Sequence, residues 1–496
     1  MKKSAILFLA AATMASGAAS AEGLRFNPDN FTVKSLTMPD GTEVSYKAYE
    51  GIFYVTNVED PTYQTLNYYV PTDMPADSKA PILLRTYVGG YMASTAKTPS
   101  PTDATGRALK EGYAVCIPGA RGSNSIVVNK GDTIYTGIAP NGLLDLKAAV
   151  RYLRYNDDVM PGNAEMIFTD GTSAGGAMSS LLGATANSPE YEQYLKAMGA
   201  APAKDNVFGA ICYCPITDLN HADMEYEWLY GCTNDGVRHL DERQKVISAE
   251  LAALCPEYIN SLKLKNEKGE LLTADNYKDY LKTFLMESAH KALEAGFVIP
   301  DTIGVELYKE PHPMMGAGRG APSFGPGQRP MFNSRTDFVA DIDLDKYLSY
   351  VASVTPLKTP PAFDQMGVII PNPSPENNVF GNSEGVPANF TDFSLRHRTG
   401  NPNATLSAEM QKRVYLMNPM YFISAERSTD IAPHWFIRHG ASDRDTSFLV
   451  PVNLATKLRN EGYDVNFALP WNRPHSGDYN LDDLFSWIKQ VVESQN

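Results

Sequence analysis

From residue 22 to residue 69 apolar and polar positions alternate. Phe31-Thr32-Val33-Lys34-Ser35-Leu36, Val44-Ser45-Tyr46-Lys47-Ala48-Tyr49 and Leu66-Asn67-Tyr68-Tyr69-Val70-Pro71 each keep a period of two. That pattern predicts antiparallel strands opening a sheet. The texture then changes. Residues 81–88 and 113–118 are nearly continuous apolar runs, as strands buried on both faces require. Between them, residues 103–111 read as a helix with Asp103 as its cap. Residues 143–155 carry apolar side chains at helical spacing (Leu143, Leu146, Ala149, Val150, Leu153). A further apolar run at 166–170 precedes a helical stretch of small residues at 177–182, and 208–215 reads as the next strand. Strand and helix alternating at this spacing predict an α/β fold with a mostly parallel sheet and helices on both faces.

After Thr217-Asp218 the alternation is lost until about residue 410. Helical stretches at 242–254 and 274–295 are broken by loops, and 311–330, rich in Gly and Pro, reads as a surface loop. The alternation resumes with a strand at 434–438, a helix at 449–461, a strand at 465–469 and a final helix at 484–494. A sheet interrupted and later completed implies an insertion and not a second sequential domain. The division expected is 22–218 and 411–496 for the core and 219–410 for an inserted lid. Residues 1–21 read as a Sec-type signal peptide. Lys2 and Lys3 precede an apolar run too short to span a bilayer, and Ala19-Ser20-Ala21 offers a cleavage site. A secreted or periplasmic location follows as an expectation, with no membrane insertion.

A net charge of −14 disfavours nucleic acid and anionic membranes as partners. The five cysteines match no zinc spacing. Cys116, Cys212 and Cys214 fall in strands as buried thiols, with Cys212 and Cys214 expected on one strand face. Cys232 and Cys255 could be a disulfide in an oxidising compartment.

The chemistry centres on Gly171-Thr172-Ser173-Ala174-Gly175-Gly176, placed between strand and helix. A serine at such a turn is lifted above the sheet edge in a strained conformation, and flanking glycines let strand and helix close. A nucleophilic serine needs a base, and the base an orienting acid, in the chain order Ser, Asp or Glu, His. Of eight histidines, His475 alone follows the last sheet strand. His434 and His439 flank another strand and read as structural. The acid should come from the loop Gly440-Ala441-Ser442-Asp443-Arg444-Asp445, with Asp443 favoured over Asp445 and over Asp218 after the 208–215 strand. Backbone N–H groups of Ala174 and of Gly89 or Gly90 would form an oxyanion hole. No metal or cofactor is implied.

The mature chain resembles the bacterial tannases. The resemblance rests on Gly171–Gly176, on Arg438-His439-Gly440 with Asp443-Arg444-Asp445-Thr446, and on Pro474-His475. It extends to Lys358-Thr359-Pro360-Pro361-Ala362-Phe363-Asp364 and Ser374-Pro375-Glu376-Asn377. It implies an α/β-hydrolase fold with a large inserted lid domain, a triad of Ser173, Asp443 and His475, and hydrolysis of galloyl esters. It further implies that Lys358, Glu376 and Asp445 hold the three hydroxyls of a galloyl ring. Taken without the resemblance, Lys358 and Glu376 are ordinary solvated charges. Residues 365–373, between them, form a longer stretch than the family pattern. The small-molecule partner expected is a phenolic ester, and oligomeric state is left open. A feruloyl or general carboxylesterase, a serine peptidase, and a non-catalytic binding protein on the same frame stay as alternatives.

Overall fold

The computed structural model describes residues 21–308, 338–424 and 429–495. The expected signal peptide and the Gly/Pro-rich 311–330 stretch lie outside the described residues, apart from Ala21. Nine strands form one sheet: β1 (Thr32–Thr37), β2 (Glu43–Phe53), β3 (Thr65–Pro71), β4 (Ile82–Arg85), β5 (Ala114–Pro118), β6 (Ile167–Thr172), β7 (Gly209–Tyr213), β8 (His434–Arg438) and β9 (Asp464–Ala468). Their order is β1-β2-β3-β5-β4-β6-β7-β8-β9. The first four in that order pair antiparallel, and every later pairing is parallel. The sequence patterns explain the split. β1 and β2 alternate exposed and covered residues, whereas β4, β5 and β7 are buried throughout. A parallel strand needs helices over both faces, and only a near-continuous apolar run suits that burial.

The crossover helices α1 (Ala104–Lys110), α2 (Asn141–Tyr155) and α3 (Ala174–Ala184) lie close to their expected positions. Asp103 caps α1 by accepting the Thr105 N–H at 2.8 Å. All five cysteines are free, with Cys232 exposed and Cys255 buried, so the disulfide that was one possibility is absent. One expectation fails. Cys214 does not share a strand face with Cys212, because β7 ends at Tyr213 and Cys214 turns away with φ 45°.

Among the described residues from 219 to 410, none joins the nine-stranded sheet. That stretch supplies α4 (Leu219–Tyr230), α5 (Glu242–Leu262), α6 (Tyr277–Glu294), α7 (Leu344–Val354) and a two-stranded antiparallel sheet. α5 outruns its expected end at 254 and continues through Pro256 to a left-handed Lys263. α8 (Leu449–Asn460) and α9 (Leu481–Glu493) return to the sheet. No described helix is long and apolar enough to cross a membrane.

Candidate active site

Ser173 sits between β6 and α3 at φ 63°, ψ −125°. This is a costly conformation for a residue with a Cβ, and such strain is kept where the surroundings over-determine it. Here they do. Ser173 N–H donates to the Tyr213 carbonyl at 2.9 Å, and the Ser173 carbonyl accepts from Ile216 N–H at 3.2 Å. A Cβ on Gly171 would lie 2.2 Å from the Gly175 carbonyl oxygen, so strand and helix meet there with no room for a side chain. On the other side of α3, the Val88 carbonyl oxygen would lie 2.8 Å from a Cβ on Gly175. Val88 leads directly into Gly89, Gly90 and Tyr91, so this glycine loop crosses the helix N-terminus. Gly90 has φ +55°.

The loop after β9 brings His475 to the same edge. Gly477 is seated so tightly that a Cβ on it would be 1.9 Å from Thr172 Oγ1, next to Ser173. The Cys214 thiol donates to the Ser476 carbonyl at 3.2 Å. His475 Nδ1 is 2.8 Å from Asp443 Oδ2. Asp445 is the more distant acid at 3.6 Å, and its own N–H donates to Asp443 Oδ1 at 2.8 Å. Asp218, the third candidate acid, pairs with His221 at 2.6 Å instead and takes an N–H from Asn418. Burial disfavours the charged form of His475, but the hydrogen bond and field of Asp443 outweigh it and raise the imidazole above its usual value. Burial would push Asp443 up; His439 and His475 instead hold it well below the carboxylate range. His439 itself is fully buried 3.5 Å from Asp443 Oδ2, and burial lowers its pKa.

The 440–446 loop is fastened from above by three tyrosines that sequence reasoning missed. Tyr230 donates to the Asp443 carbonyl at 3.3 Å, Tyr226 to the Arg444 carbonyl at 2.8 Å, and Tyr347 to the Ala441 carbonyl at 2.7 Å. Their phenol ends carried no local signal, because each reaches its partner only across the fold. Tyr226 also accepts the Lys358 N–H at 3.0 Å, which links that loop to the next group of charges.

Lys358, Glu376 and Asp445 are brought together although their backbones come from separate segments. Each of Glu376 and Asp445 exerts a field on Lys358; burial is the larger influence and lowers the ammonium pKa. Burial likewise raises the Glu376 carboxyl, with Lys358 opposing. The Lys358 ammonium lies 4.0 Å above the ring of Phe363. Glu376 is 8% exposed, so the reading of it as a solvated charge does not hold. The long 365–373 stretch loops out while its ends meet. Asn377 Oδ1 accepts from Gln365 and Met366, and its amide donates to Asp364 Oδ1 at 2.7 Å. Asp223 holds the start of this lattice by accepting the Phe363 and Asp364 N–H groups at 2.7 and 3.0 Å. A separate cavity of about 580 Å³, lined by Asp223, Phe390, Phe393 and Tyr421, contains none of Ser173, Asp443, His475, Lys358, Glu376 and Asp445.

Known proteins resemble this chain in sequence and in backbone. Residues 66–253 match the family model described as BD-FAE. A stretch of 108 residues is 32% identical to esterase LipC of Mycobacterium tuberculosis, a match covering 22% of this chain and 24% of that protein. The tannase of Fusobacterium nucleatum is 36% identical, with a TM-score of 0.80 over 95% of this chain and 99% of that one. The tannin acyl hydrolase of Lactobacillus plantarum is 35% identical, with a TM-score of 0.78 over 95% and 100%. A tannin acyl hydrolase solved in complex with ethyl gallate is 35% identical, with a TM-score of 0.79 over 95% and 99%. Similarity of sequence and backbone along the whole length of both chains makes this protein a member of the tannase family, a carboxylic-ester hydrolase.

Proposed function

We propose that this protein hydrolyses galloyl esters through Ser173, His475 and Asp443 on an α/β-hydrolase fold, with residues 219–410 as an inserted lid. The observation that carries the reading is the meeting of Lys358, Glu376 and Asp445 beside the His475–Asp443 pair. Three adjacent phenol hydroxyls are donors that need acceptors, and two carboxylates supply them. The lysine donates to phenol oxygens in return. A ring without these hydroxyls would leave desolvated charges unpaired, which discriminates strongly against it.

In this mechanism His475 takes the Ser173 proton as the hydroxyl attacks the ester carbonyl. The N–H groups of Ala174 and of Gly89 or Gly90 receive the oxyanion. His475, held by Asp443, then protonates the leaving alcohol. Water repeats the sequence on the galloyl-serine ester and releases gallate. The basic, apolar leader at residues 1–21 supports export to the periplasm or beyond. Turnover of methyl gallate, methyl ferulate, a p-nitrophenyl ester and a peptide anilide tests the reading. Methyl gallate should be the fastest; faster turnover of ferulate or of the anilide would reassign the substrate.

A further inference from the structure

Beyond His475 the chain passes through Asp478 and Asn480, both left-handed at φ 55° and 60°. Asp and Asn enter that region more readily than other non-glycine residues. Asp478 is fixed by Arg85, at the end of β4. Arg85 Nη2 donates to Asp478 Oδ2 at 2.5 Å and Nη1 to Oδ1 at 3.2 Å, a two-pronged grip. The Ala104 N–H adds a third bond to Asp478 Oδ1 at 3.2 Å. The same Nη1 reaches Asp170 Oδ2 at 2.6 Å. Asp170 lies on β6, three residues before Ser173, and Asp478 lies three residues after His475. One guanidinium therefore holds the roots of both reacting loops.

The cluster is expensive. The side chains of Arg85 and Asp170 are 5% and 0% exposed, and two carboxylates share one cation. Arg85 Nε and Asp170 Oδ1 have no hydrogen-bond partner among the described residues. Burial raises the Asp170 carboxyl above its ordinary range, with Arg85 opposing. Apolar residues of similar volume commonly match or exceed the stability of such a buried ion group. Directional geometry is what an arginine fork supplies and apolar packing does not.

We propose that Arg85 is a positioning residue that sets the distance and angle between Ser173 and His475 by gripping Asp170 and Asp478 together. The proposal rests on the nucleophile and base assigned above. The seating of Gly477 against Thr172 supports it, since that contact fails if the Asp478 loop lifts.

The test compares Arg85→Lys and Asp478→Asn with the wild type. It uses labelling of Ser173 by a fluorophosphonate, kcat and KM on methyl gallate, the acid limb of kcat/KM and Tm. Arg85→Lys keeps the charge and loses the fork; Asp478→Asn keeps the shape and leaves the Arg85–Asp170 pair intact. Labelling and kcat should fall about a hundredfold, the scale expected for a 1 Å misplacement. KM should hold, because Lys358, Glu376 and Asp445 are untouched. The acid limb should move to lower pH. The groups facing His475 (Asp443, Asp445, Lys358 and His439) stay in place, and a loosened His475 loses part of the Asp443 bond that raises it. A purely structural role would lower Tm and leave the acid limb and the labelling rate of folded protein unchanged, and that result would overturn the proposal. If Arg85→Lys does not fold, Asp478→Asn decides alone. Wild-type protein that takes no label would instead overturn the nucleophile assignment, and this inference with it.

Discussion

Replacing Lys358 with methionine isolates ring recognition from ester chemistry. Methionine keeps the length and the apolar contact with Phe363, over which the ammonium lies at 4.0 Å. What it removes is the charged donor facing the substrate oxygens. A hydrogen bond to a charged group contributes about 1.5–3 kcal/mol. That corresponds to a loss of about 10- to 150-fold in kcat/KM for methyl gallate. A p-nitrophenyl ester without ring hydroxyls has no such bond to lose and should change little at the pH optimum. Two signed shifts accompany the loss. The Lys358 field opposes the raised pKa of Glu376, so the variant keeps Glu376 protonated to higher pH. Gallate turnover should therefore recover partly as pH rises. The same field lowers His475, so its removal moves the acid limb to higher pH for both substrates. Steady-state kinetics on the two esters from pH 5 to pH 9 reads all three effects. Equal losses on both esters would remove Lys358 from ring recognition. An acid limb moving to lower pH would refute the electrostatic argument.

Other outcomes follow from the same geometry. Asp443→Asn should lower kcat by about 10⁴ with little change in KM, as expected when the orienting acid of such a triad is neutralised; a loss under tenfold would pass that role to Asp445. In the wild type the acid limb of kcat/KM should lie above about 6.5, the ordinary histidine value, because Asp443 raises His475 and the base must be neutral to act. Gly171→Ala would put a Cβ 2.2 Å from a backbone oxygen, and should abolish phosphonate labelling or folding. Thiol titration without reductant should find five free cysteines in unfolded protein, with the exposed Cys232 reacting first in the native state.

Much of the frame was legible along the chain because its causes are local. A period of two marked β1 and β2, unbroken apolar runs marked β4, β5 and β7, and Asp103 marked the start of α1. The glycines around Ser173 announced a turn too tight for side chains. His475 stood out because it alone followed the last strand. Other features had no local cause. Asp443 and Asp445 are two residues apart in one loop, and only the fold sets them at 2.8 and 3.6 Å from His475 Nδ1. A charge in a loop looks solvated until the fold buries it, which is why Lys358 and Glu376 depended on resemblance. A Cys232–Cys255 disulfide was a minor possibility along the chain, and the separate surroundings of the two thiols decided against it. Arg85, Tyr226, Tyr230 and Tyr347 carried no signal at all, since their partners lie far away in sequence. Local patterning thus determined where strands, helices and the Ser173 turn form. Tertiary structure alone decided which distant charges share a desolvated space, because that depends on the path of the whole chain.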